Sequence, residues 1–226
     1  IDEYDLYYGN EAVREQDKPR RERGPLSRRP SVNSIIPAIL FSFLFPACTF
    51  LFNNSALADS LWASGETVFT RHEYWRLVTS LFTHSGPVHL MSNLPFFIFF
   101  GLVLYEYFGL ILFPVLPLVI GISANVITLF FYPETTRLIG ASGMIYGMVS
   151  LWLILYISHD TGKTMPARIF RSAGFTLAVM FPEAYYPSTS YLAHAAGFIC
   201  GILCGLAVLP FARVKNPVNS GDTAGH

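Results

Sequence analysis

Two short stretches place reactive side chains where the surrounding sequence is apolar. Gly140-Ala141-Ser142-Gly143 opens one uncharged run, and Ala193-His194-Ala195-Ala196-Gly197 opens another. A serine hydroxyl becomes a nucleophile when a neighbouring base takes its proton, and His194 is the natural candidate. Ionisable groups inside membrane-like sequence are costly, so they are expected to face one another or a wet cavity. A third apolar run begins with His89 and Asn93, which stand at i, i+4 and share one helical face. Tyr146 has the same relation to Ser142, one turn further on, where it can pack against the His194 imidazole.

The elements that must position these groups follow from composition. The chain has 226 residues, 52% of them hydrophobic, and a mean hydropathy of +0.43. That excludes an ordinary soluble domain and suits an all-α membrane protein. About 20 apolar residues are needed to cross the hydrocarbon core. Six spans are expected, at 34–52, 88–105, 108–131, 138–157, 168–186 and 191–209. The fifth is uncharged only from Ser172 to Pro182, so it is either short or lets Arg168 and Arg171 snorkel to an interface.

Charge placement gives the direction. With the N-terminus inside, twelve Lys and Arg residues fall in inner segments and three, Arg71, Arg76 and Arg137, in outer loops. This obeys the positive-inside rule loop by loop and puts both termini on the cytosolic side. Residues 1–33 are polar and of mixed charge and are expected to be a disordered tail. Residues 34–210 form the six-span domain, and 211–226 a short polar tail. No apolar h-region precedes the first span, so that span itself is expected to act as the insertion signal.

Under this topology spans two, four and six enter from outside. They carry His89 with Asn93, Ser142 with Tyr146, and His194 at similar depth, which for Ser142 is about 7 to 8 Å along a helix from Arg137. Gly143 and Gly147 on span four can meet Gly197, Gly201 and Gly205 on span six, and such small-residue stripes allow helices to approach closely. Cys48, Cys200 and Cys204 lie in spans and read as packing. No metal-ligand pattern and no cofactor motif is present. Asn53-Asn54-Ser55 fits a glycosylation sequon on the outer side.

Each piece alone has a plain structural reading, as helix packing, interfacial anchor or interhelical hydrogen bond. Their agreement in depth, face and chemical type is what those readings do not produce together. In order along the chain, Tyr74-Trp75-Arg76, His84, His89-Leu90-Met91-Ser92-Asn93, Gly140-Ala141-Ser142-Gly143 with Tyr146, and Ala193-His194-Ala195-Ala196-Gly197 with Gly201 resemble the motifs of the rhomboid family of intramembrane serine proteases. The resemblance covers about residues 34–210. It implies a six-helix bundle in which Ser142 is the nucleophile and His194 the general base. His89 and Asn93 would stabilise the oxyanion together with backbone at Ser142, and Tyr146, His84, Gly140 and Gly143 would support the site. Trp75 and Arg76 would belong to a structural loop lying partly in the outer leaflet. Glu106-Tyr107-Phe108-Gly109 is one residue shorter than the corresponding family spacing, which leaves the role of Glu106 open.

The residues themselves favour a Ser-His dyad, because no acid lies at the depth of His194 to complete a triad. The implied partners are transmembrane protein substrates and the lipid bilayer, with no nucleic acid, no cofactor and no metal; oligomeric state is not encoded. The implied setting is a plasma or inner membrane, or an organellar one. Substrates would enter past span five, with Phe175 or Phe181 facing Phe96 or Phe97 of span two. A non-catalytic rhomboid-like protein that binds transmembrane clients is the alternative. A transporter would want midplane carboxylates or broken helices, for which no acid is available.

Overall fold

The computed structural model describes residues 31–180 and 190–214. The expected N-terminal tail lies outside these residues except for its last three. Most of the C-terminal tail and the segment 181–189 lie outside them too. The described chain is helical: α1 Val32–Ser42, α2 Leu44–Asn54, α3 Ala58–Leu61, α4 Arg76–Phe82, α5 Pro87–Phe108, α6 Leu116–Phe131, α7 Ser142–His159, α8 Met165–Met180 and α9 Tyr191–Val208. Its isolated β-bridge pairs Ala63 with Leu138.

Among the described residues, five stretches are long and apolar enough to cross a membrane: Ile35–Asn54, Pro87–Phe108, Ile111–Phe131, Ser142–His159 and Tyr191–Val208. The chain is therefore a helical membrane bundle. The expected fifth span corresponds to α8, which has 16 described residues and starts at Met165. Its continuation to Tyr186 lies outside the described residues. Arg168, inside α8, reaches the Ile157 carbonyl in the last turn of α7, where a cation complements the orphan carbonyls of a helix C-terminus.

Two expected boundaries are corrected. The third span begins with a kinked five-residue π-helix, Ile111–Val115, in which Phe113 is extended, before regular α6. The fourth begins at Ser142, not Leu138, because Gly140 has φ +110 and breaks the helix. A side chain at that φ is strained. Ser142 is thus the first helical residue, and the helical depth reckoned from Arg137 does not apply.

The core is built around α5, α6 and α7, with Phe45, Phe97, Phe100, Phe113, Met144 and Leu151 among its fully buried side chains. A smaller apolar cluster, Ala63, Val68, Leu77, Leu129 and Leu138, anchors the segment between α2 and α5. Arg76 organises that segment. It is 6% exposed, and its guanidinium binds the Glu73 carboxylate and the carbonyls of Asp59 and Trp62. Arg76 and Arg137 both lie over the Trp62 ring, at 5.3 and 4.4 Å. Trp75 itself is exposed.

α7 and α9 approach closely because glycine faces glycine. A Cβ on Gly197 would lie 1.9 Å from the Gly143 carbonyl oxygen, and one on Gly201 2.2 Å from that of Gly147. No larger residue fits without separating the helices. Gly205 is different: it faces the Ile154 side chain, not backbone.

Candidate active site

The beginnings of α5, α7 and α9 meet around a cavity of about 530 Å³, lined by His89, Asn93, Gly140, Ser142, Gly143 and His194 among others. Ser142 and His194 come together through their neighbours. Modest room remains at Gly143, where a Cβ would sit 3.0 Å from the Ala193 carbonyl oxygen. The residue after the serine therefore abuts the residue before the histidine. His194 is 6% exposed and stacks on Tyr146, ring centroids 3.9 Å apart and planes 19° from parallel.

α9 is capped by Ser190, whose hydroxyl accepts from the Ala193 N–H at 3.2 Å and whose carbonyl accepts from the His194 N–H at 3.1 Å. Serine is a favoured cap because its side chain satisfies a donor that the helix leaves orphaned. Tyr132, from the end of α6, bonds the same hydroxyl at 3.0 Å. Ser190 and Tyr132 both line the cavity. A serine three residues before Ala193, directly ahead of an apolar run, is the sequence signal that marks this cap.

His89 stands against the 140–142 backbone. A Cβ on Gly140 would lie 2.8 Å from its Cε1 and Nε2 atoms, so the ring and the glycine require each other. Its Nδ1 is 3.3 Å from the Ser85 hydroxyl. Asn93, 1% exposed, donates from Nδ2 to the His89 carbonyl at 2.9 Å and to the Ser92 hydroxyl at 3.2 Å, while its Oδ1 is buried with no partner. As placed, its N–H groups serve its own helix, and donation into the cavity requires the amide to rotate.

His84 is fully buried behind His89, with ring centroids 4.9 Å apart, and its Nδ1 is 3.3 Å from the Thr49 hydroxyl. Its Nε2 has no partner, and Phe45 stacks on the ring at 5.4 Å. Burial, and after it the neighbouring His89, holds this imidazole well below the ordinary histidine range. The cost of desolvating the charged form outweighs what the Phe82 backbone returns to it.

Behind the serine, the Gly140 N–H donates to the Ser80 carbonyl at 2.8 Å. Asn125 on α6 donates to the Ser80 hydroxyl and to the Leu77 carbonyl, each at 3.1 Å. This buried amide fixes α4 against α6 and, through Ser80, the segment leading to Ser142. It was absent from the residues singled out by sequence, although an asparagine in an uncharged span is a signal in itself. No Asp or Glu lines the cavity among the described residues. No three His, Cys, Asp or Glu among the described residues gather as a metal ion would need.

This arrangement can be set beside known proteins. The Rhomboid domain model matches residues 71–211. The chain belongs to the rhomboid family. RHOMBOID-like protein 2 of Arabidopsis thaliana is 28% identical over 142 residues, covering 63% of this chain and 44% of that protein. RHOMBOID-like protein 6, mitochondrial, from the same plant is 27% identical over 161 residues, covering 71% and 52%. Rhomboid-related protein 3 of Homo sapiens is 28% identical over 152 residues, covering 62% and 37%. This chain thus spans about half or less of the length of these curated relatives. The matched rhomboid region begins just before α4 and includes every residue that lines the cavity, while α1 to α3 precede it.

Proposed function

We propose that this rhomboid-family chain is an intramembrane serine protease that cuts transmembrane segments of membrane proteins near the outer side of the bilayer. One observation carries the reading: Ser142 and His194, from separate helices, line one cavity, and the imidazole is held by the Tyr146 ring. His194 takes the Ser142 proton as the oxygen attacks the scissile carbonyl, then returns it to the leaving amine. Water hydrolyses the resulting ester by the same base. Negative charge on the tetrahedral oxygen falls to His89, the backbone at Ser142 and Asn93 once its amide has turned. Ring stacking takes the orienting role that a carboxylate has in a triad, so a slow enzyme is expected.

Substrate helices reach the serine sideways, past α8. Phe175 of α8 lies 5.8 Å from Phe99 and 6.0 Å from Phe100 of α5, ring to ring. Phe97, by contrast, is in the core against Phe45 and Phe113, and Phe96 lies one turn from Phe99 and Phe100 on the same side of α5. Phe181 lies outside the described residues. A cavity of about 290 Å³ lined by Phe99, Trp152 and Phe175 lies beside this contact.

The test is to incubate the protein in lipid vesicles with a panel of single-span membrane proteins and sequence the new termini. Cleavage within or beside a transmembrane segment, absent with Ser142→Ala, is the expected result. Binding of a panel member without any new terminus would instead make this a client-binding protein.

A further inference from the structure

Arg28-Arg29-Pro30-Ser31-Val32 leads into the first helix. Two arginines at −3 and −2, then a serine, then an apolar residue make a substrate for a serine kinase that selects basic sequence. Fixed guanidinium charges of this kind are read by acidic substrate grooves. The structure shows what such a kinase would act on. Ser31 is exposed, has extended backbone (φ −82, ψ 158) and is the N-cap of α1. Its N–H and its hydroxyl both donate to one oxygen of Glu106, each at 3.0 Å. Glu106 is 7% exposed and sits in the last turn of α5, the helix whose first turns carry His89 and Asn93. The contact pins the start of α1, which packs along α5, to the end opposite the cavity.

We propose that Ser31 is a phosphorylation site whose modification releases the start of α1 from α5. The γ-phosphoryl group of ATP passes to the Ser31 oxygen: the new O–P bond forms as the bond to ADP breaks, and the hydroxyl proton leaves to the kinase's base. A donor to Glu106 is thereby replaced by a group carrying nearly two negative charges at neutral pH. At hydrogen-bonding separation beside a mostly buried carboxylate, that repulsion is strong. The α1 N-terminus itself favours a phosphate, so the helix keeps its first turn and moves away from Glu106. The basic segment lies on the expected inner side, where ATP is available.

The experiment uses the full chain in detergent micelles with the catalytic domain of a basophilic serine kinase and Mg-ATP. Mass spectrometry should place phosphate on Ser31, and Ser31→Ala should lose it. Amide exchange over 32–42 should accelerate on phosphorylation, and the melting temperature should fall by about 3 °C. Glu106→Gln keeps an acceptor for Ser31 but removes the repulsion, so phosphate on that variant should leave exchange unchanged. Phosphate confined to Ser27, or none, overturns the site. A phosphorylated protein that exchanges and melts like the unmodified one overturns the release. So does a Glu106→Gln variant that responds as strongly as the native chain. The comparison of native protein before and after phosphorylation stands even if the variant does not fold.

Discussion

The Tyr146 ring covers the His194 imidazole nearly face to face, with centroids 3.9 Å apart. If that stack orients the base, its aromatic face matters and its hydroxyl matters little. Tyr146→Phe should keep turnover within severalfold of the native chain. Tyr146→Ala should lower turnover on the order of 10²-fold with little change in substrate binding, the scale expected when a catalytic group drifts by about 1 Å. Steady-state cleavage of one transmembrane substrate by both variants checks this; equal losses would place the role in the hydroxyl.

The glycine contacts between α7 and α9 give a graded series. Gly197→Ala drives a methyl into the Gly143 backbone, which cannot yield, and should both destabilise the bundle and abolish cleavage. Overpacking of this kind costs about 1–3 kcal/mol or more. Gly205→Ala meets the Ile154 side chain, with Cβ nearest at 3.0 Å, and needs the two helices to part by only a few tenths of an ångström, so it should be far milder than Gly197→Ala. Thermal melting in micelles ranks the two.

Much of this site was legible because polarity is rare in apolar sequence. Ser142, His194, His89 and Asn93 stand out against their neighbours, and fourfold glycine spacing marks the faces of α7 and α9. Backbone breaks were not legible in the same way. Nothing in Leu138-Ile139-Gly140 announces φ +110 at the glycine, so the serine was placed a turn inside its helix instead of at its start. Nor does polarity show which apolar face meets which helix when lipid lies outside and an apolar core inside. Of the pair Phe96 and Phe97, Phe97 turns into the core against Phe45 and Phe113, while Phe99 and Phe100 meet Phe175. Asn125 and Ser80 form a pair separated by 45 residues that only the fold brings together.

The buried His84 gives the stability a pH dependence. Its folded pKa lies below its unfolded one, so both states hold it neutral above about pH 6.5, where the fold has its full stability. As pH falls below that value the unfolded chain takes up a proton that the folded chain refuses, and stability declines. One such group contributes at most about 1.4 kcal/mol per pH unit. Melting curves from pH 7.5 down to 5 should fall less steeply for His84→Phe than for the native chain; parallel curves would show that His84 titrates alike in both states.

Loosening the wall at α8 should favour membrane substrates selectively. Phe175→Ala removes the ring that meets Phe99 and Phe100 and should raise cleavage of a transmembrane substrate severalfold. Some stability should be lost, though less than the roughly 3–5 kcal/mol of a fully buried aromatic, because Phe175 is 39% exposed. Cleavage of a short soluble peptide, which can enter from water, should change little. Equal gains on both substrates would point to a change at the serine itself.

The proposed protease activity rests on activation of Ser142 by His194 for acyl transfer. The most direct measurement is covalent labelling by a fluorophosphonate probe, with the adduct mapped by peptide mass spectrometry in the native chain and in a folded His194→Ala variant. An adduct on Ser142 is expected in the native chain, with its loss, or a drop of at least about 10²-fold in labelling rate, without the histidine. An unlabelled Ser142 in the folded native chain, or undiminished labelling in His194→Ala, would contradict it.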